Sequence, residues 1–424
     1  MIEHGSFLSE IATETAGGVD HIPAPACWVR RLRQACDGNR RLRRVRISSG
    51  PTRRRLLAIT LLLLLYSVAG CSSGQLPKER EDAGFMVLLT GGDRLACCGI
   101  VSLSDRAHLL LGRTDYLNGV SRAWLGQVSA QGSQIWAKEL PLPSSNSGLV
   151  RGASSPLGSV YAVGHTVGSS GRAVGLVVRV EPSGTIVWTK SVVAGIDTRA
   201  VAVTVSRRAI VMVVGVAHES GGQGTVVGAT LTPEGDQLWQ QVLLRGADLE
   251  VTGVRELETD GYLVHGSFGV LRVDALGAQQ WHLATGEALA ALEMPNSDLV
   301  IATAPRTEVS TTFQLRRLTA RGEPLWSKSI RVDEACGGVA GLWLSSRGQI
   351  VAAGSRCRGP AQIWVGEISE RGEVDSIKKL GVRAGASAFQ VEPVDDTGIV
   401  AAGMFAEDSP DRGKGWLFRG RLGN

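Results

Sequence analysis

The sequence predicts an all-β protein, a seven-bladed β-propeller of four-stranded antiparallel blades that an N-terminal strand closes. Two repeated patterns and the two ends of the repeat region support this prediction. In the first pattern, a tryptophan follows a turn glycine by four residues, and the tryptophans recur at intervals of 42 to 52 residues. The pairs are Gly132 and Trp136, Gly184 and Trp188, Gly235 and Trp239, Gly277 and Trp281, and Gly322 and Trp326. A period of this length is typical of propeller blades.

The second pattern is an apolar strand that ends near a glycine, and it occurs seven times. Its copies end at Gly112, Gly164, Gly215, Gly266, Thr303, Gly354 and Gly403. Short turns rich in Asp, Asn, Ser and Gly precede most copies, as hairpins require. Each unit is therefore predicted to contain four short strands, of which the fourth carries the tryptophan.

The ends of the repeat region decide the number of blades. A sixth unit has Ser376 in the tryptophan position, and a seventh stops at Asn424 without a fourth strand. Counting back from Gly112 by the usual interval reaches Phe85, which lies in an apolar stretch. We expect this stretch to complete the seventh blade, with Phe85 in the tryptophan position, because closure removes open sheet edges.

The recurring aromatic residues are interpreted as blade-docking residues that pack on the neighbouring blade, with a stack of ligand-binding rings as the alternative. They are Phe85, Trp136, Trp188, Trp239, Trp281 and Trp326. The stretch Val180–Trp188 and its sister copies resemble the Trp-docking repeats of quinoprotein-type propellers and of related bacterial lipoprotein propellers. The resemblance covers nearly all of residues 84–424 and implies the fold, whereas propellers host many different activities.

Residues 53–70 have the composition of a secretory signal peptide. Three arginines precede a short apolar run, Leu56–Leu65, and small residues follow it up to Cys71. The run is shorter than the ~20 residues of a membrane-spanning helix. Val68–Cys71 resembles the lipobox of bacterial lipoproteins, which implies cleavage before Cys71, diacylation of its sulfur and acylation of the new amino group. More than one acyl chain gives stable membrane anchoring.

The signal divides the chain into segments. Residues 1–52 are predicted to be a disordered extension or sequence upstream of the true start, residues 71–83 a lipidated tether and residues 84–424 the propeller. Ser72 follows the lipidated cysteine, and in the lipoprotein family this favours the outer membrane over the inner membrane. Thr52–Leu57 also resembles a twin-arginine signal, although the Leu-rich run favours the general secretory route.

The positive net charge belongs to the predicted leader. Residues 1–70 contain 11 arginines and five acidic residues, so their removal changes the net charge from +5 to −1. The mature chain therefore lacks the basic excess that is typical of nucleic-acid-binding proteins, and we predict no nucleic-acid partner.

Two cysteine pairs remain in the mature chain. Cys336 and Cys357 lie symmetrically about the turn Ser345–Gly348, so they are predicted to face each other across a hairpin and to form a disulfide in an exported protein. Cys97 and Cys98 are a possible vicinal pair. Quinoprotein alcohol dehydrogenases carry such a pair beside their quinone. The acidic and amide calcium ligands of those enzymes have no comparable motif in this sequence.

Three histidines, His165, His218 and His265, are weak candidates for a metal or acid–base site. They lie at odd offsets from the marker glycines of three consecutive units, which places them on one sheet face near one rim. They lack the tight spacing of a metal motif, and rim or packing histidines are the alternative.

These observations favour a binding or scaffold module held at the cell envelope by its lipid, with a protein or glycan partner. The alternative is an exported propeller enzyme, such as a quinone-dependent oxidoreductase. We predict no catalytic residue and no cofactor, because no acid pair, nucleophile motif or phosphate-binding loop follows a suitable element.

Overall fold

A computed structural model describes residues 85–422 with short gaps. The gaps are 104–105, 143–145, 193, 220–222, 305–311, 333–337, 356–361, 382–385, 396–397 and 406–412, and the side chains at 97, 98, 386 and 387 are also outside the description. The described strands form seven four-stranded antiparallel sheets, and each sheet is one blade. The predicted fold class is therefore confirmed.

The innermost strands of blades 1 to 7 line the channel at the centre of the ring. They are β2 Arg94–Ser102, β6 Ser147–Ser154, β10 Asp197–Val205, β14 Val251–Glu256, β18 Ala288–Glu293, β22 Val339–Leu344 and β26 Ala386–Asp395. The second strands are β3 His108–Asp115, β7 Val160–Val167, β11 Val211–His218, β15 Tyr262–Gly266, β19 Leu299–Thr303, β23 Ile350–Ser355 and β27 Gly398–Phe405.

The third and fourth strands form the outer half of each blade. The third strands are β4 Ser121–Val128, β8 Ala173–Val180, β12 Gly224–Leu231, β16 Gly269–Val273, β20 Thr312–Leu318, β24 Gln362–Ile368 and β28 Gly415–Arg421. The fourth strands are β5 Gln134–Glu139, β9 Ile186–Val192, β13 Gln237–Gly246, β17 Gln279–Leu283, β21 Pro324–Arg331, β25 Val374–Gly381 and, in blade 7, β1 Phe85–Leu89.

The N-terminal strand closes the ring. β1 pairs antiparallel with β28, and Phe85 lies opposite Arg419 as Trp281 lies opposite Arg272 in blade 4. Each innermost strand contacts the innermost strands of both neighbouring blades. The core consists of seven apolar layers, each built from residues of two adjacent blades. Within the described ranges, no helix is long and apolar enough to cross a membrane.

A β-bulge in every innermost strand explains the marker glycines. A residue of each innermost strand is unpaired with the second strand, at positions 98, 150, 201, 252, 289, 340 and 389, and blade 7 has a second unpaired position at 394. The bulge brings an inner-strand carbonyl close to the second strand. A Cβ at Gly164 would lie 1.9 Å from the Gly148 oxygen, and one at Gly266 would lie 1.9 Å from the Glu250 oxygen. Glycine is therefore favoured beside the bulge at these positions, whereas blade 5 has Thr303 in the equivalent place.

The tryptophans of the fourth strands dock on the turn of the next blade. Trp188 donates a hydrogen bond from Nε1 to the Pro233 carbonyl oxygen at 2.9 Å. Its ring lies against Gly235, where a Cβ would be 3.0 Å from the indole and φ is +87°. Trp239, Trp281 and Trp326 donate in the same way to Ala275, Ala320 and Glu370. The turn glycine thus makes room for the ring of the preceding blade.

An arginine on the third strand reinforces several of these contacts. Arg179, Arg272, Arg317 and Arg419 donate to the carbonyl oxygens of Pro233, Ala320, Glu370 and Ala130. In blade 7, the Phe85 ring packs against Gly132 but has no N–H group, so Arg419 supplies the hydrogen bond to that turn. The aromatic ring and the arginine together tie each of these blades to the next.

The connections divide the ring into two faces. The turn face carries the links from first to second and from third to fourth strands, and twelve of these thirteen links span five residues. The loop face carries the links from second to third strands and from each blade to the next. The second-to-third links vary from residues 267–268 in blade 4 to residues 406–414 in blade 7.

Candidate functional site

Polar side chains from three blades meet in the central channel. Arg151 of blade 2 donates from NH1 to Gln390 Oε1 of blade 7 at 3.0 Å, and this contact passes blade 1 on the channel side. The Gln390 amide also accepts from the Ile100 N–H at 3.2 Å and donates to the Ile100 carbonyl at 3.1 Å. The side chain of Gln390 is therefore held on both sides by blade 1 and joined to blade 2.

Glu392 extends this group toward the turn face. Its carboxylate accepts from Gln390 Nε2 at 2.5 Å and from Ser102 Oγ at 3.2 Å. Burial raises the pKa of Glu392, whereas the hydrogen bonds from Gln390 and Ser102 and the charge of Arg151 act in the opposite direction. We call Ser102, Arg151, Gln390 and Glu392 the channel belt. Its hydrogen bonds brace blades 7, 1 and 2 across the lumen.

Arg255 crosses the opposite side of the channel. Its NH2 group, on blade 4, lies 3.4 Å from the Leu342 carbonyl oxygen of blade 6. The side chain is solvent-exposed, yet desolvation by the surrounding blades lowers its pKa, against the opposing charge of Glu293. Both observations fit a group that contacts solvent inside a channel walled by protein.

The sequence analysis missed the channel residues. Arg151 and Gln390 lie one position after the bulge of their innermost strands, and Glu392 and Arg255 lie three positions after it. The residue type at these positions differs from blade to blade, so no repeat marks them. Only the ring closure brings blades 2 and 7 together.

His265 lies at the junction of blades 4 and 5. Its buried ring occupies the space beside Gly253, where a Cβ would be 2.6 Å from the imidazole. Nδ1 lies 2.8 Å from Thr252 Oγ1 and 3.4 Å from the Ala288 carbonyl oxygen of blade 5. Burial lowers the pKa of His265 to about 4, and the hydrogen bond to Ala288 opposes this shift. The ring is thus neutral at physiological pH and links two blades.

His165 lies in blade 2 among charges of the loop face. Burial lowers its pKa to about 4, and the guanidinium groups of Arg199 and Arg113 add to this effect. Each arginine is close to its own aspartate. Arg113 Nε lies 3.0 Å from Asp115, and Arg199 NH2 lies 3.9 Å from Asp197. His165 is therefore an uncharged ring between two ion pairs.

His218 ends the second strand of blade 3 and is exposed. Its partner in the strand register is Asp197. The three candidate histidines thus belong to three different blades. Among the residues that the structure describes, no group of three or more His, Cys, Asp or Glu side chains is arranged to hold a metal ion.

On the loop face of blade 1, four side chains form a hydrogen-bonded cluster that we call the rim. They are Thr114, Tyr116, Arg122 and Glu139. Glu139 accepts hydrogen bonds from Thr114 Oγ1 at 2.5 Å and from the Tyr116 hydroxyl, and Arg122 lies 3.5 Å from it. Partial burial works toward a higher pKa for Glu139, but the hydrogen bonds from Thr114 and Tyr116 and the charge of Arg122 outweigh it and lower the pKa. The carboxylate is ionised at neutral pH and holds the rim together.

An exposed leucine is presented beside this rim. Leu117 is 94% exposed at the tip of the second-to-third link of blade 1. The backbone below it is fixed, because the Leu117 N–H donates to Asp93 at 2.8 Å and the Tyr116 N–H donates to the Val120 carbonyl at 2.9 Å. The loop face therefore offers an apolar side chain on an ordered loop, next to charged residues.

The structure describes the predicted cysteine sites only in part. Cys71, Cys336 and Cys357 lie outside the described residues. The backbone of Cys97 and Cys98 belongs to β2, at its bulge, but their side chains are outside the description. The lipid anchor, the disulfide and the vicinal pair therefore stay predictions.

Comparison with known proteins defines the fold alone. No protein-family model matches the chain, and neither does any curated protein sequence. A catalytically inactive variant of virginiamycin B lyase from Staphylococcus aureus, solved with quinupristin, has a similar structure. Its TM-score is 0.52 at 10% identity, with 79% of this chain and 99% of that chain covered. At this identity, the likeness extends to the propeller fold and not to the activity of the lyase.

Two further solved structures are more distant. The PQQ-bound aldose sugar dehydrogenase of Streptomyces coelicolor has a TM-score of 0.40 at 13% identity, covering 79% of this chain and 98% of that chain. A protein of unknown function from Bacteroides caccae has a TM-score of 0.44 at 13% identity, covering 65% and 94%. At these TM-scores, neither similarity indicates what chemistry this chain performs.

Proposed function

We propose that the chain is an exported lipoprotein, anchored through Cys71 at the outer rather than the inner membrane. Its propeller is a binding or scaffold module for a protein or glycan partner at the cell envelope. The observation that carries the binding role is the difference between the two faces. Variable connections on a rigid scaffold are where binding sites concentrate, whereas uniform turns serve the fold.

The rim of blade 1 supports this role. Leu117 is almost fully exposed, and ion pairs of Arg113 with Asp115 and of Arg122 with Glu139 lie on the same blade. An apolar side chain beside charged residues matches the usual anatomy of a protein interface, which has an apolar centre and a polar rim. The fixed backbone lowers the entropy that binding would cost.

Affinity capture from detergent-solubilised envelope tests the binding role. The bait is the full lipidated chain, compared with Leu117→Glu on the loop face and with Leu157→Glu on the turn face. Leu157 is a matched control, because it is 73% exposed at the tip of a short turn. We expect Leu117→Glu to reduce the captured partner at least about tenfold, a loss of about 1.4 kcal/mol. Equal capture by both variants would contradict a loop-face site.

Fatty-acid labelling tests the anchor separately. Wild-type protein is expected to incorporate a radiolabelled fatty acid, and Cys71→Ala is expected to incorporate none because the acylated sulfur is lost. Equal labelling of the two proteins, or no labelling of wild type, would contradict the lipid anchor. A quinone chromophore in the purified protein would contradict the non-enzymatic role.

A further inference from the structure

An open hollow of about 670 Å³ lies on the turn face, where blade 4 meets blade 5. It is lined by the partly exposed indole of Trp281, by Thr259 and Asp260 of one turn and by Ala320 and Arg321 of the other. The volume falls in the range of about 300–1,000 Å³ that is typical of sites for small ligands. The hollow therefore has the size of a ligand site and combines an aromatic ring with polar walls.

A glycine explains why space is left at this junction. In blades 2 and 5, the residue before the second strand accepts hydrogen bonds of 2.8 to 3.1 Å from the third-strand arginine. The pairs are Ser159 with Arg179 and Asp298 with Arg317. Blade 4 has Gly261 in this place, where a Cβ would lie 2.2 Å from the Val273 carbonyl oxygen. Arg272 instead donates to Thr259 Oγ1 at 3.0 Å, and the missing side chain leaves space beside it.

A second difference leaves the indole of blade 4 less covered than the others. In blades 1, 2, 3 and 5, a long polar side chain two residues after the tryptophan lies against the turn glycine of the next blade. These side chains are Lys138, Lys190, Gln241 and Lys328. Blade 4 has Leu283 in this place, and the three atoms nearest to a Cβ at Gly322 all belong to Trp281. Among the described residues, no second aromatic ring or cation stacks on Trp281, whereas Lys138 lies 5.3 Å from the ring of Trp136.

The walls of the hollow offer hydrogen-bonding groups that the fold does not use. Within the described part of the chain, neither the Asp260 carboxylate nor the Arg321 guanidinium has a hydrogen bond or ion pair, and both residues are exposed. Gln280 donates from Nε2 to Asp274 Oδ2 at 3.2 Å, and its Oε1 receives no hydrogen bond from a described residue. A ligand would therefore meet two acceptor groups and one donor group around the indole.

We propose that this hollow, which we call the blade 4–5 hollow, binds a neutral saccharide. A sugar ring has an apolar C–H face and a rim of hydroxyl groups that both donate and accept hydrogen bonds. An indole surrounded by a carboxylate, an amide oxygen and a guanidinium matches both features. Two aspartates and two arginines line the hollow, so it has no net charge, and this favours a neutral over an acidic saccharide. They are Asp260, Asp274, Arg272 and Arg321.

The blade 4–5 hollow goes beyond the proposed function, because it lies on the turn face and depends neither on the loop-face site nor on the lipid anchor. Saturable binding to the full chain is measured by saturation-transfer NMR in a detergent without a sugar headgroup. The neutral probes are maltotetraose, cellotetraose and triacetylchitotriose, and trigalacturonate and tetraglycine are the comparison probes.

Saturable binding of at least one neutral saccharide is the expected result. Absence of saturable binding by every neutral probe would overturn the proposal. Stronger binding of trigalacturonate would overturn the assignment to a neutral ligand, and stronger binding of tetraglycine would overturn the assignment to a saccharide.

Two variants with matched controls locate the binding. Asp260→Asn and Arg321→Gln each remove a charged hydrogen-bonding group, so each should weaken binding about tenfold. Asn tolerates the φ of +79° at position 260. The control Asp248→Asn changes an exposed aspartate with a φ of +51° on the loop face. The control Arg371→Gln changes the residue before the turn glycine of blade 6, as Arg321 precedes that of blade 5.

Both controls should bind the probe as wild type does, and all four variants should keep the thermal unfolding curve of wild type because the changed side chains are exposed. Wild-type affinity in both Asp260→Asn and Arg321→Gln would overturn the blade 4–5 hollow as the site. Equal losses in the controls would overturn it as well.

Discussion

The turn face and the loop face are built from the same strands but follow different rules. On the turn face, five-residue links recur, and the glycines of the third-to-fourth links receive the aromatic ring of the preceding blade. On the loop face, the links differ in length from blade to blade. The aromatic docking contact repeats around the ring and stabilises the fold. The loop-face links do not make this contact, so their length and sequence can vary from blade to blade. The turn face thus determines stability, and the loop face is where a specific partner is expected.

Removal of one docking ring is expected to have the largest effect. Trp188→Ala leaves the Pro233 and Gly235 turn without its ring and should lower the free energy of unfolding by about 3 kcal/mol. Trp188→Phe keeps most of the packing and loses the hydrogen bond, so we expect a loss of about 1 kcal/mol. Chemical denaturation measures both. Equal losses for the two variants would show that packing of the indole is not the main contribution.

Loss of the predicted disulfide is expected to be the next largest effect, and we expect this bond to lie on the loop-face side of blade 6. Val339 pairs with Gly354, and Cys336 and Cys357 each lie three residues farther from the turn. Reduction of the wild-type protein should lower its stability by about 2 kcal/mol, because the unfolded chain gains freedom. The double variant Cys336→Ser with Cys357→Ser is the control. Its stability should equal that of reduced wild type and should not respond to reductant.

The channel belt, between the two faces, should make stability depend on pH. The raised pKa of Glu392 means that the native state holds this proton more tightly than the unfolded chain. Stability from this group is therefore highest below the pKa of the unfolded chain, and it falls as pH rises toward the native pKa. Glu392→Gln keeps a side-chain acceptor for Ser102 and lacks the charge.

The measurement is the free energy of unfolding of both proteins at pH 5 and pH 8. We expect Glu392→Gln to gain on wild type as pH rises. A constant difference between the two proteins over this range would contradict the burial of a carboxylate in the channel.

The smallest effect is expected from exposed leucines at the tips of the two faces. Leu117→Glu and Leu157→Glu replace side chains that are 94% and 73% exposed. Each should change stability by less than about 0.5 kcal/mol. Matched thermal unfolding curves would show that any loss of partner binding by Leu117→Glu is specific. A large loss of stability in either variant would mean that its tip residue supports the fold.

The repeats made the architecture predictable from the sequence, whereas most residues of the candidate site could not be predicted. The spacing between Gly235 and Trp239 recurs in other units, because each of those blades packs on a next blade of similar structure. The ring closure through Phe85 followed from the same count. The bulge beside Gly164 and the arginine partner at Arg272 were missed, because pairing across strands is not visible in a linear pattern.

The channel belt was harder still to predict. Arg151 and Gln390 are 239 residues apart in sequence, and each occurs in one blade only. No repeat, composition bias or spacing motif distinguishes such residues from surface polar residues. Their meeting depends on the closed ring, which brings blades 2 and 7 to the two sides of blade 1.

Crosslinking in cells is the sharpest test of the proposal that a partner at the envelope binds the loop face. A photoreactive amino acid replaces Leu117 in one strain and Leu157 in another, and adducts are compared after irradiation. We predict a discrete partner adduct from position 117 and none from position 157. Adducts from both positions in equal yield, or none from position 117 in protein that reaches the membrane, would contradict the claim.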